Sequence, residues 1–213
     1  MRPRKRKLNE AQQRWVISWW RALQPRGPED AALPGELSGM GRSERARLRR
    51  CQTVDELLTQ PSVLMLANRL VAINGEKGFL PDRASSYELI AWVAGVLALV
   101  KDNVDDNKTL AWRLGYGAGN DRIKMSELRF KALQRSTTPI DSFNQFRRAV
   151  QLAACKTDVS CLADDLLSWL DEQGKTSGNA SSSVKFHWAY DYFLSSKDRN
   201  AATEPEFNKE INK

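Results

Sequence analysis

Apolar side chains return every three or four positions along most of this chain, and nowhere do they alternate with polar ones for long enough to make a convincing strand. Val16, Trp19, Trp20 and Leu23 form one stripe, on a helix that can open at Asn9. Residues 26–41 hold Gly27, Pro28, Pro34, Gly35, Gly39 and Gly41 and predict a loop. A helix from about Ser43 follows, then one opened by Thr59-Gln-Pro61 and closed near Asn74-Gly75, with proline in its first turn and glycine past its end. Ser85 or Ser86 can cap the most apolar helix, which ends near Lys101. The polar run 102–107 separates it from a short helix containing Trp112, and Gly115, Gly117 and Gly119 predict a flexible turn. Three further stripes mark helices: Phe143, Phe146, Val150 and Ala153; Val159, Leu162, Leu166 and Leu170; Phe186, Tyr190 and Phe193. The expected fold class is all-α. Two small helical bundles, residues 9–105 and 106–196, would pack together behind a flexible basic arm 1–8. Residues 174–183 read as a linker, and 197–213 as a disordered tail.

Charge changes this picture. The formal net charge is +7 and it is gathered in blocks: residues 1–50 hold 13 Lys/Arg against 5 Asp/Glu, and residues 108–148 hold 9 against 3. Three helix-compatible stretches are dense in arginine: Arg42-Ser-Glu-Arg-Ala-Arg-Leu-Arg-Arg50, Ser126-Glu-Leu-Arg-Phe-Lys-Ala-Leu-Gln-Arg135 and Phe143-Asn-Gln-Phe-Arg-Arg-Ala-Val150. The guanidinium is always charged, and its planar fork of donors matches phosphate oxygens in pairs. Clustered cations add their fields, so the pattern points to a nucleic-acid-binding protein. The second arginine helix can start near Asp121 or Ser126; from Asp121 it would stack Arg122 above Arg129. Packed beside the helix of Arg147 and Arg148, which burial of Phe146 leaves at the edge of the apolar face, it would form a groove for one strand. The acidic stretch 157–172 (Asp158, Asp164, Asp165, Asp171, Glu172) has no base, and a strand would repel it; solvent or a basic protein neighbour should face it.

Catalytic chemistry is not legible. The one histidine, His187, lies among aromatics with Asp191 four residues on, and reads as structural. Asp102, Asp105 and Asp106 lack the alternating ligands and glycine of a calcium loop and read as a solvated loop and helix cap, with no metal. The Gly115-x-Gly-x-Gly119 spacing is not a dinucleotide fingerprint and follows a helix, and no Walker lysine motif occurs, so no cofactor is implied. Trp15, Trp19 and Trp20, at helical spacing beside Val16 and Leu23, read as core. Cys51, Cys155 and Cys161 are odd in number with no paired motif, as reduced thiols in a cytoplasmic protein would be. No apolar segment follows the basic start, and the longest apolar run, residues 89–100, is too short to span a bilayer; no membrane is expected.

Taken in order, particular residues resemble a known family. A Trp19-Trp20-x-x-Leu23 helix comes first, then Ala46-Arg-Leu-Arg-Arg50 followed by Asp55-Glu-Leu57. Arg113-Leu-Gly115, Ser126-Glu-Leu-Arg129, Leu133-Gln-Arg135 and Phe146-Arg-Arg148 follow, with Trp169 and the aromatic stretch 186–193 behind. Over roughly residues 10–195 the chain is similar to the CasB family, the small subunit of the type I-E CRISPR surveillance complex called Cascade. The resemblance implies two helical bundles without enzymatic activity. It implies two copies lying between the large subunit and the backbone subunits on the guide RNA, and contact with target DNA, both target and displaced strands, that holds the R-loop open. Carried over by position, the contacts are Arg49 and Arg50, then Arg122, Arg129 and Arg135, then Arg147 and Arg148. Arg45, Lys124 and Lys131 complete the candidate nucleic-acid-binding set. The arm at residues 2–7, the loop 26–41 and the tail depart from the family pattern. The alternative is a stand-alone helical DNA- or RNA-binding regulator; a nuclease built on Asp102, Asp105 and Asp106 is a third class.

Overall fold

The computed structural model describes residues 4–27, 29–30, 32–75, 78–115, 123–173 and 179–203. Among them ten α-helices and one two-residue strand pair build the molecule, so the fold is all-α. Helix α1 (Glu10–Ala22) starts where its cap chemistry says it should: the Asn9 side chain accepts the Gln12 N–H, and the Gln12 side chain accepts the Asn9 N–H in return. Loop 26–41 contains a 3-10 turn at Gly35–Leu37. Helix α2 (Arg42–Arg50) opens with the Gly41 N–H donating to the Glu44 carboxylate. The short α3 (Val54–Leu58), capped by Thr53, has too few turns to show a period in sequence. Helix α4 (Pro61–Ala72) begins on its proline and is followed by Gly75, whose φ of 76° is left-handed.

Helix α5 (Ala84–Leu97) is the centre of the fold, and residues 90–100 are all buried. Its N-cap is Arg83 rather than either expected serine, because the Ser86 hydroxyl turns back to donate to the Pro81 carbonyl. Helices α3 and α4 pack on one part of α5, while α8 (Pro139–Leu152) and α9 (Val159–Gln173) pack on another. Close contact explains Gly95: a Cβ there would lie 2.8 Å from the Phe143 ring. Strands β1 (Asp102–Asn103) and β2 (Lys156–Thr157) pair in parallel, with Asp102 opposite Lys156, just beyond the ends of α5 and α8. Two residues are too few for an alternation to register, which is why the sequence shows only a polar run here.

Helix α6 (Leu110–Gly115) lies along α10 (Val184–Thr203), and α7 (Glu127–Gln134) sits on α8. One continuous apolar core joins the elements on both sides of residue 105. Trp19, Trp169 and Trp188 are wholly buried in it, and Phe146 meets Trp169 and Trp188 edge to face at 5.1 and 5.2 Å. Trp15, Trp19 and Trp20 are core, as expected; the Trp19 and Trp20 indole N–H groups donate to the Ser62 and Val100 carbonyls. Helix α10 runs to Thr203, into the segment expected as a tail, and residues 204–213 lie outside the described residues, as does 174–178 of the expected linker. No helix among the described residues is long and apolar enough to cross a membrane.

Candidate nucleic-acid interface

Helix α2 carries its arginines on a thin amphipathic body. Leu48 alone is buried, and Arg42, Arg47, Arg49 and Arg50 are exposed. A nine-residue helix with one apolar anchor needs other fastenings, and two arginines supply them. The Arg45 guanidinium donates to the Ala98 and Val100 carbonyls, both at 2.9 Å, where α5 ends and leaves oxygens without helical partners. Arg147 of α8 donates to the Cys51 carbonyl at 2.8 Å and to the Arg49 carbonyl at 2.5 Å, closing the C-terminus of α2 in the same way. Burial holds both guanidinium pKa values below the ordinary arginine value, and neighbouring Arg49 adds to the effect in each. Arg147 was expected at a free edge of α8. It is half-buried instead, spent with Arg45 on fixing α2 in place.

The second cluster is more open. Arg129, Lys131 and Arg135 are exposed on α7, while Phe130 and Leu133 hold the helix to the core. Lys131 is paired with Glu127 at 3.2 Å. The C-terminus of α7 is closed by Lys185, whose ammonium donates to the Gln134 and Ser136 carbonyls. Ser126 holds the N-cap position and the helix starts at Glu127; Arg122 lies outside the described residues. Arg148, on α8, is exposed.

Lys124 lies just ahead of α7 and is half-buried. Its backbone N–H donates to the Leu114 carbonyl at 3.0 Å, and its ammonium pKa is lowered by burial and then by Arg113 and Lys156 nearby. Lys156 stands opposite Asp102 in the β pair, and Asp102 is within electrostatic reach of Arg45. Sequence reasoning left Arg113 and Lys156 off the candidate set. Arg113 stood in a quoted motif, but Lys156 is a lone lysine in a pair of strands that gave no signal.

Asp102 and Asp105 are exposed, as expected, but other carboxylates are placed against expectation. Asp106 is ion-paired with Arg113, and among the described residues no group of three His, Cys, Asp or Glu could hold a metal ion. Asp158, Asp164 and Asp165 of the acidic stretch are buried rather than turned to solvent or to another protein. Asp158 accepts the Cys161 and Asn107 N–H groups at the start of α9. Asp164 accepts the Lys7 and Leu8 N–H groups, both at 2.7 Å, and a bond from Arg4. Asp165 accepts from Arg4 and from the Trp188 indole, both at 2.8 Å, and burial still pushes its pKa up to about 6. Lys7 reaches Asp171 at 3.3 Å, and Leu8 is buried. The arm expected to be flexible is thus docked from Arg4 to Leu8, and the chain's own basic segment is the neighbour that the acidic helix required. Among the other singled-out groups, Asp191 takes the Thr109 hydroxyl at 2.6 Å, burial lowers the His187 pKa, and the three cysteines are free thiols.

A family model described as CRISPR-associated protein Cse2 matches residues 44–193, from within α2 to within α10. No curated protein and no solved structure matches the chain. The matched span covers the second and third arginine clusters and the first from Glu44 onward, leaving out Arg42 and the docked arm.

Proposed function

The chain belongs to this Cse2 family of CRISPR-associated proteins, the small-subunit family of type I-E Cascade, and from that premise we propose that it serves as the non-catalytic small subunit of such a complex. In this reading it binds the backbone of the opened strands during RNA-guided DNA targeting. The observation that carries the reading is α2: four exposed arginines on a short helix fastened by two half-buried ones, Arg45 and Arg147. A helix held in this way presents its charges in fixed positions, so binding does not first have to order them. The contacts proposed are Arg42, Arg47, Arg49 and Arg50 on α2, with Arg129 and Arg135 on α7, Arg148 on α8, and Lys124. Arg45 and Arg147 act as positioning residues, and Lys131 contributes less because Glu127 already neutralises it.

Phosphate contacts suit a machine whose guide, rather than its protein, reads the sequence. Exchange of a DNA duplex for an RNA–DNA duplex is nearly balanced, so modest backbone contacts on the opened strands can tip it. The partners in this reading are guide RNA, target and displaced DNA strands, the large and backbone subunits, and a second copy of the chain. The test is target binding by a reconstituted complex carrying Arg49→Glu with Arg50→Glu, and separately Arg129→Glu with Arg148→Glu. Both should assemble at normal stoichiometry, because exposed substitutions cost within about 0.5 kcal/mol, and both should bind target DNA far more weakly. Unchanged target affinity in fully assembled complexes of both variants would refute the proposal.

A further inference from the structure

Among the described residues of loop 26–41, Leu37 and Met40 are buried, and the Arg26 guanidinium donates to the Met40 carbonyl at 2.7 Å and the Ser38 carbonyl at 3.3 Å. These contacts tie the two ends of the loop together. Beside it lies a cavity of about 450 Å³, walled also by the C-terminal end of α1 and the chain leaving α5. Four cations line this cavity, Arg21, Arg26, Arg45 and Lys101, against two carboxylates, Asp30 and Asp102. Arg26 and Arg45 are committed to carbonyls, and the Asp30 carboxylate accepts the Gly27 N–H at 2.6 Å. Arg21 and Lys101 are exposed, and their side chains have no hydrogen-bond or ion-pair partner among the described residues. A second cavity, of about 410 Å³, shares the wall at Pro25, Arg26 and Leu33 and reaches Arg42, an exposed arginine of α2.

We infer that the two cavities form one trough continuing the phosphate surface of α2: a single nucleic-acid strand held on α2 passes Arg42 and lays its backbone along the loop wall to Arg21 and Lys101. The inference rests on the proposed function and extends it to a loop that lies ahead of the family match. Its free cations come from three separate elements, the end of α1, the start of α2 and the chain after α5. Such an arrangement suits a chain of phosphates. A single small anion would need converging donors, and the two guanidinium forks that could converge are turned to carbonyl oxygens. With more cations than carboxylates, the wall stays net positive and attracts a strand.

Each phosphate contact on a single strand adds about 0.7 to the slope of log affinity against log salt. The full-length protein is titrated into labelled oligo-dT at several salt concentrations, and anisotropy is read. Arg21→Gln with Lys101→Gln should lower the slope by about 1.4, and either change alone by about 0.7; circular dichroism reports on folding. Arg14→Gln with Arg83→Gln removes the same charge from exposed positions outside both cavities and should keep the wild-type slope. An unchanged slope in the folded Arg21→Gln, Lys101→Gln protein overturns the inference and leaves the α2 reading standing, provided Arg49→Gln with Arg50→Gln still lowers it. An equal fall in the Arg14→Gln, Arg83→Gln protein also overturns it, because the strand then feels only the diffuse field of the molecule. So does loss of a neighbouring subunit from a reconstituted complex with strand binding kept, since the trough would then receive an acidic protein surface. Wild-type affinity that is independent of salt overturns both readings.

Discussion

Arg147 places guanidinium donors on two carbonyl oxygens at a helix end, so its loss would leave two acceptors without those partners at a half-buried site; Arg45 does the same for the Ala98 carbonyl, whereas the Val100 carbonyl it also meets keeps the Trp20 indole. Hydrogen bonds from a charged donor are worth more than neutral ones. Arg147→Met should therefore lower unfolding stability by about 1–3 kcal/mol, against about 0.5 kcal/mol or less for Arg49→Met, which changes an exposed side chain. Urea unfolding of the two variants checks the order, and equal losses would mean that Arg147 is no clamp. Asp165 gives a second residue-scale expectation, with an unusual sign. Its folded pKa of about 6 lies above that of an unfolded aspartate, about 3.9, so the native state takes up the proton first as pH falls. Between those values, acidification favours folding through this group, and the contribution is lost again as pH rises toward 6. His187 acts oppositely: its folded pKa is lowered, so its contribution is lost as pH falls below about 6.5. Relative to Asp165→Asn, the wild-type protein should gain on the order of 2 kcal/mol between pH 6.5 and 4. A stability difference that is flat with pH would show that Arg4 and Trp188 keep Asp165 ionised.

At the scale of elements, the pairing of the arm with α9 was the largest departure from expectation. Both halves of it were legible as charge: a basic stretch at residues 2–7 and an acidic one at 157–172. Their meeting was not, because no periodicity links segments that far apart. The apolar stripe of α9 is wide enough to bury Asp164 and Asp165 along with Leu162 and Leu166, and buried carboxylates require donors. The arm brings them: the Arg4 fork, two backbone N–H groups and the apolar Leu8. Deletion of residues 1–8 takes the Arg4 and backbone donors from Asp164 and leaves Asp165 with the Trp188 indole and no cation, and should lower Tm on the order of 10 °C. A thermal scan checks this, and an unchanged Tm would reduce the arm to an appendage. Cap chemistry was the more readable part of each element. Asn9 and Ser126 stand at helix starts the sequence offered, Asn9 with a side-chain cap bond and Ser126 by position alone. The α5 start misled because Ser86 found a nearer acceptor in the Pro81 carbonyl.

For the whole molecule, the electrostatic prediction is one of slope. If about six phosphates are neutralised by the exposed arginines, binding of single- and double-stranded nucleic acid should fall on the order of 10³-fold between 50 and 200 mM salt, with little sequence preference. Salt-independent affinity, or a strong consensus from sequence selection, would count against backbone recognition. The sequence by itself determined the fold class, most helix boundaries, the tryptophan core and the family, because each rests on local spacing or on the order of motifs. It also marked the three arginine clusters. Only the tertiary structure decided which arginines in them are available. Arg147 is committed to carbonyls 96 and 98 residues away, Arg45 to carbonyls 53 and 55 away, and Arg4 to an acid 161 away. A guanidinium serves a phosphate, a helix end or a carboxylate with the same fork of donors, so its residue type cannot say which; the nearest unsatisfied acceptor in the folded chain does.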